Sequence, residues 1–172
     1  MKINAQFVRV LAITCFALPC AAQTGRVTFY SYALTPKQQV KTAVVPAGTT
    51  SFTGWLYEGN KKMAHASRGR FMTFQLAAGG HDFVTSYKSN RPGKTSLHLD
   101  IESGGHYCVR LSARYVSPTP GLLIAFVDSK IEEISCKQAV QEAGGYRRID
   151  LKRIEPAVQA DLDTSSTFPK EN

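Results

Sequence analysis

The sequence predicts an all-β fold, a β-sandwich carrying one short C-terminal helix. Three observations predict it. Apolar or alternating segments recur about every ten residues and are bounded by Gly, Pro or Asn, the spacing of short strands joined by tight turns. Ser96-Leu97-His98-Leu99-Asp100-Ile101 alternates polar and apolar residues without a break, the period of a half-buried strand. Two near-copies of one device flank it, Ala77-Ala78-Gly79-Gly80-His81-Asp82-Phe83-Val84 and Glu102-Ser103-Gly104-Gly105-His106-Tyr107-Cys108-Val109, each a Gly-Gly-His turn feeding an apolar strand.

Residues 1–22 stand apart from the fold. Lys2 and Arg9 give a positive start, Val10 to Leu18 is an apolar run too short to span a bilayer as a mature helix, and Cys20-Ala21-Ala22 supplies small residues for cleavage. This reads as a secretory signal peptide. Pro19 and Ala17 occupy the places where a lipoprotein signal carries a small residue and a leucine, which argues against Cys20 as a lipid anchor. Away from this segment no apolar run reaches the ~18 residues of a membrane span.

In the remaining chain, Gly25 to Tyr32 forms the first strand, rich in aromatic and β-branched residues. Gln39 to Val45 is the second, stopped by Pro46. Thr50 to Tyr57 is the third and holds Trp55, the only tryptophan. Glu58-Gly59-Asn60 and Ser67-Arg68-Gly69 bracket a fourth, Lys61 to Ala66, and Arg70 to Leu76 is the fifth. His81 to Tyr87 and Thr95 to Ile101 follow. The eighth strand, His106 to about Val116, places Tyr107, Val109, Leu111, Ala113 and Tyr115 on one face and Cys108, Arg110, Ser112 and Arg114 on the other. Leu122 to Val127 reads as a buried ninth strand. Ser135-Cys136-Lys137-Gln138 has the form of a capping box, with Ser135 as N-cap and Gln138 reaching back. Cys136, Ala139, Val140 and Ala143 then make one apolar stripe, and Gly144-Gly145 ends the helix. Pro156 opens a short helix with Val158 and Leu162. The expected organisation is a signal peptide over 1–22, the sandwich over 23–134, the helix and a basic extension over 135–162, and a disordered tail over 163–172.

Cys108 and Cys136 are the two cysteines beyond the signal segment. In an exported chain such a pair reads as a disulfide, worth about 3–4 kcal/mol by loop closure. The bond would lay the helix over the outer face of the eighth strand.

The chemistry-bearing residues form no recognisable catalytic pattern. His81 and His106, presented by matching turns, would be two ligands of a metal site with His98 and Asp100 in reserve. Two imidazoles fall short of the three or four ligands zinc takes, so no metal or other cofactor is expected. Ser96, His98 and Asp100 are the residue types of a hydrolase triad, but side by side along one strand face they cannot place the base between nucleophile and acid. Gly93-Lys94-Thr95 echoes a phosphate loop, yet its first glycine position is Lys88 and a strand follows.

Charge suits a binding surface better than an active site, while a basic face that simply keeps the protein solvated is the commoner meaning of such a balance. The chain carries a net +8, and residues 23–127 hold 12 basic against 4 acidic groups while the remainder is slightly acidic. Lys61, Lys62, Arg68 and Arg70 around one hairpin form a candidate anionic-ligand site, and Lys88, Arg91 and Lys94 a second basic loop. The expected export and the lack of any nucleic-acid-binding motif make nucleic acid a poor fit, and none is expected as a partner.

The segment from about Val44 to Ser112, through Phe52-Thr53-Gly54-Trp55-Leu56-Tyr57-Glu58-Gly59-Asn60 and the two glycine turns, resembles the small β-sandwich domains of the PEGA type. It also resembles a family of bacterial exported proteins, often lipoproteins, of unknown function. The resemblance implies an immunoglobulin-like or prealbumin-like sandwich and a non-catalytic role in the envelope, with an envelope protein or anionic envelope polymer as partner. It transfers no functional residues. The expected function is therefore that of an exported, non-enzymatic binding or envelope-structural protein, periplasmic or secreted. A lipid-anchored component and an envelope hydrolase are the competing readings. Cleavage after Ala22 predicts a mature chain starting at Gln23, which intact-mass spectrometry of the exported protein checks; a lipid-modified Cys20 terminus would contradict it.

Overall fold

The computed structural model describes residues 23–33, 49–116, 126–165 and 167–168. Residues 1–22, the expected second strand and residues 117–125 lie outside them. Among the described residues ten strands form two sheets: β1 (Thr24–Ser31), β2 (Thr49–Ser51), β3 (Gly54–Glu58), β4 (Lys61–Ala66), β5 (Arg70–Ala77), β6 (Gly79–Ser86), β7 (Ser96–Ile101), β8 (His106–Val116), β9 (Phe126–Ile134) and β10 (Arg147–Arg148). One α-helix, α1 (Cys136–Ala143), and two short 3-10 helices, Leu151–Arg153 and Pro156–Asp161, complete the described chain.

The larger sheet runs β10-β5-β1-β8-β2, with β9 also paired to β8. Ala113 pairs with both Thr50 and Ser129, so β2 and β9 occupy opposite edges of β8. β2 therefore continues the edge that β1 vacates after Ser31, which pairs with Leu111. β1 lies parallel to β8 and antiparallel to β5. The smaller sheet is the antiparallel order β4-β3-β6-β7.

The two sheets enclose one core. Val27, Phe29, Phe74, Val109 and Leu111 from the larger sheet meet Leu56, Met63, Phe83, Leu99 and Ile101 from the smaller. Phe29 sits at the centre, edge-on to Phe83 at 4.9 Å and to Phe74 at 6.2 Å between ring centroids. The alternation along β8 is observed as the sequence indicates, with Val109, Leu111 and Ala113 in this core and Cys108 on the other face.

A second, smaller cluster covers the outer face of the larger sheet. Tyr30, Phe71 and Cys108 pack there against Ala139 and Ala143 of α1 and against Phe168. Cys108 and Cys136 are disulfide-bonded, so the helix lies over β8 as the cysteine pair predicts. Glu142 makes a second attachment. Its carboxylate accepts from Tyr30 at 2.5 Å and from Arg110 at 2.8 and 3.1 Å, while Arg110 also donates to Glu132 at 2.8 and 3.0 Å. Burial opposes the charge on Glu132, but Lys130 and Arg110 more than offset it and hold its pKa below the usual carboxylate value. Burial, and then the bond to Glu142, push the Tyr30 phenol upward.

Several expectations need correction. The third strand is two strands: β2 belongs to the larger sheet and β3 to the smaller, and Phe52-Thr53 carries the chain between them. The Ser31 hydroxyl donates to the Phe52 carbonyl at this crossing. The last strand extends well past Val127, because Cys108 to Val116 offer a free edge that residues 126–134 fill. The capping box is half formed. Ser135 Oγ accepts from the Gln138 amide at 3.2 Å, but the Gln138 side chain bonds Glu142 instead of reaching back. Within the tail expected to be disordered, Asp163 pairs with Arg26 at 3.0 Å, its amide donates to the Thr73 carbonyl, and Phe168 is buried. The basic extension is likewise structural, since Ile149, Ile154, Val158 and Leu162 all enter the main core.

Both Gly-Gly-His copies do the same work, which is to move the chain between sheets. The first takes it from β5 to β6 and the second from β7 to β8. Each has one glycine at positive φ, Gly79 at 135° and Gly104 at 74°. Gly79 and Gly80 are also the first residues of β6, paired with Ile101 and Asp100. The start of β1 threads between the two corners. Gln23 O accepts from Ala78, Thr24 O from Gly104, and the Arg26 amide donates to Gly105 O. At Gly25 a Cβ would lie 2.5 Å from the Ile101 side chain and 2.6 Å from the Glu102 carbonyl. Gly25→Ala is expected to destabilise by about 1–3 kcal/mol in chemical denaturation; an unchanged midpoint would show that the corner can relax.

Candidate functional site

The four basic residues proposed around one hairpin do not converge. Lys61 and Lys62 begin β4, whereas Arg68 and Arg70 follow its far end, roughly 15–20 Å along the strand. Lys62 pairs with Glu155 at 3.0 Å and lies 4.6 Å above the Trp55 ring. Its charge is therefore partly spent on local structure.

The other half of the group does form a site. Arg68 and Arg70 line a polar hollow of about 360 Å³ with Ser67, Asp150 and Arg153. The turn Ser67-Arg68-Gly69, closed by the Arg70 amide on the Ser67 carbonyl and by Gly69 on Ser31, sets the first two arginines. β10 brings in the rest, because its parallel pairing with β5 places Arg147 opposite Arg70 and leads the chain on to Arg153. Arg153 donates to Ser67 Oγ at 2.8 Å and meets His65 Nδ1 at 2.9 Å. Arg70 donates to the Arg148 carbonyl at 3.3 Å. Arg70 and Arg153 are thus held by neutral groups, and among the described residues the lining holds three guanidinium groups and one carboxylate. The sequence contained Arg153 in its basic segment, but nothing local links residue 153 to residue 68.

A larger open cleft, about 660 Å³, lies at the disulfide, where His106, Cys108 and Cys136 are lined up with Arg26, Gln75 and Glu133. His106 is partly exposed, and its Nε2 is 3.2 Å from Thr28 Oγ1, which in turn bonds Thr73 at 3.0 Å.

The histidines proposed as a metal pair are not brought together. His81 projects from β6, between the Glu58 carboxylate at 2.5 Å and the Ala77 carbonyl at 2.9 Å, while His106 lies on the outer face of the other sheet. Matching turns gave them matching starts but opposite layers. Ser96, His98 and Asp100 lie along the exposed face of β7. There His98 bonds Asp82 at 2.8 Å and Asp100 at 3.3 Å, acids on either side of the base, and this raises its pKa. Gly93-Lys94-Thr95 lies in the loop before β7, not at a helix N-terminus. Among the described residues no helix is long and apolar enough to cross a membrane. Comparison of the chain with protein-family models, with curated proteins and with solved structures gives no match.

Two histidines weaken the fold as pH falls, against the opposite pull of the exposed His98, whose pKa is raised. Burial and the neighbouring Arg153 lower the pKa of His65, and burial and Arg26 lower that of His106, both from an ordinary 6.5. A folded-state value below the unfolded one means that the unfolded chain takes up these protons first. The stability they permit is full above the unfolded pKa and is lost as pH falls through it toward the folded value. The melting temperature is expected to drop between about pH 7.5 and 5, and His65→Asn with His106→Asn to flatten that drop in differential scanning fluorimetry; an identical slope would assign the loss to other groups.

Proposed function

We propose that the protein is an exported, non-catalytic binding module of the envelope, built as a sandwich of the immunoglobulin-like or prealbumin-like kind, and that it holds an anionic polymer at the arginine hollow. The observation that carries this is the hollow itself, where Arg68, Arg70 and Arg153 line one open polar space with Asp150 as the only acid among the described lining residues. Planar guanidinium groups suit phosphate and carboxylate in paired hydrogen bonds, and an open, shallow site suits a chain that passes over it. The basic balance of the body would draw such a polymer in. The PEGA-type resemblance and the signal-like leader support the same compartment and role.

Binding to an anionic polysaccharide, with dextran sulfate as the probe, tests the reading. Arg68→Glu with Arg70→Glu is expected to weaken binding about tenfold or more and to flatten its salt dependence. Lys61→Glu with Lys62→Glu, at the far end of β4, is expected to have a much smaller effect. Equal losses from both pairs would replace the hollow with a diffuse basic surface, and no loss from either would sink the proposal.

A further inference from the structure

The disulfide cleft holds a feature that the binding role does not use. One ligand atom from each of His106, Cys108 and Cys136 lies within 4.8 Å of the others. Oxidised, the two sulfurs are bonded to each other and cannot hold an ion. Reduced, they become two thiols beside an imidazole. We propose that this cluster is a redox-controlled metal site, in which a dithiol reductant opens Cys108–Cys136 and a thiophilic divalent ion of the zinc type then takes Cys108, Cys136 and His106 as ligands.

The chemistry balances. The dithiol is oxidised to its own disulfide as it reduces Cys108–Cys136 to two thiols. The ion then displaces one proton from each thiol into solvent and accepts an electron pair from each sulfur and from one imidazole nitrogen.

Four structural observations favour it. Donor atoms around a tetrahedral zinc ion stand roughly 3.3–3.8 Å apart, given metal–ligand bonds of about 2.0–2.3 Å, so this group needs only a small adjustment to close on one ion. The Cα atoms of the two cysteines are 5.2 Å apart, which leaves room for the sulfurs to separate without moving the backbone far. Cys136 is the first residue of α1, where the positive end of the helix dipole favours a thiolate. His106 stands two residues before Cys108 on the same face of β8, and Thr28 fixes the ring, the kind of outer partner that orients a ligating histidine.

The ligand set would also survive reduction in place. Glu142 holds α1 to Arg110 and Tyr30 independently of the sulfurs. The cleft beside the cluster gives the ion a way in and leaves a fourth position for water, as in zinc sites with three protein ligands. Metal would thus replace one cross-link between β8 and the helix by another.

The test reduces the full mature chain with a phosphine, removes the reductant under argon and titrates cobalt(II), then zinc(II). One equivalent of cobalt is expected to give the charge-transfer absorption of thiolate ligands with the visible bands of a tetrahedral site, and zinc to bleach both. His106→Ala is expected to weaken cobalt binding at least about tenfold, and Cys108→Ser with Cys136→Ser to remove the thiolate absorption. The unreduced protein should bind neither ion. Circular dichroism follows folding throughout. The proposal is overturned if reduced, folded protein gives no thiolate-to-cobalt band, or if His106→Ala binds as tightly as the parent. A reduced chain that unfolds and is not restored by zinc overturns it as well.

Discussion

The structure depends on β1 being buried on both faces. From Val27 to Ser31 every residue is buried. Val27 and Phe29 point into the space between the sheets, while Thr28 and Tyr30 point the other way. A two-layer protein could leave that second face to water, but Tyr30 and its neighbours Phe71 and Cys108 are too apolar for it. They require a third layer, and α1, Tyr146 and Phe168 provide it. Much of the C-terminal quarter exists to meet this demand. The extension from Ile149 to Leu162 instead closes the open side of the main core, through single bridges from Ile154 to Ala64 and from Leu162 to Phe74.

Two different forces hold the third layer. The disulfide acts by limiting the unfolded chain, while the Glu142 attachment acts in the folded state, where a partly buried carboxylate makes charge-assisted bonds to Arg110 and Tyr30. Buried charge is costly unless each member is paired. Here Arg110 lies between two carboxylates, and one of them, Glu132, is also met by Lys130 at 2.6 Å. The two attachments lie along the same face of β8, at Cys108 and Arg110, so the helix cannot rotate about either one alone.

The repeated glycine device shows how similar sequence can serve different surroundings. Both copies turn a corner between sheets at the same end of the molecule, and both support the entry of β1. Yet the histidine that follows each corner meets a different world. His81 finds Glu58 and a backbone carbonyl, and His106 finds a threonine pair and the disulfide. A motif defines a local path, but the partners at its end come from strands distant in sequence.

Alternation along Ser96 to Ile101 and His106 to Val116, the capping serine before Cys136 and the pair Cys108 and Cys136 determined by themselves the strand content, the helix and its attachment. Each rests on a simple rule: period two, period 3.6, or a covalent bond between the two cysteines that follow residue 22. Where strands lie relative to one another obeys no such rule. Thr50 to Tyr57 reads as one strand, and only the two sheets competing for it split the chain at Phe52. The arginine hollow was half legible, in Arg68 and Arg70, because neighbours in sequence are neighbours in space. Arg153 joins them only through β10 pairing with β5. His106 likewise comes within reach of Cys136 only when the helix folds back over β8. Tertiary structure decided both sites because the residues that form them are separated by tens of positions, and only the shared core and its covering layer bring them together.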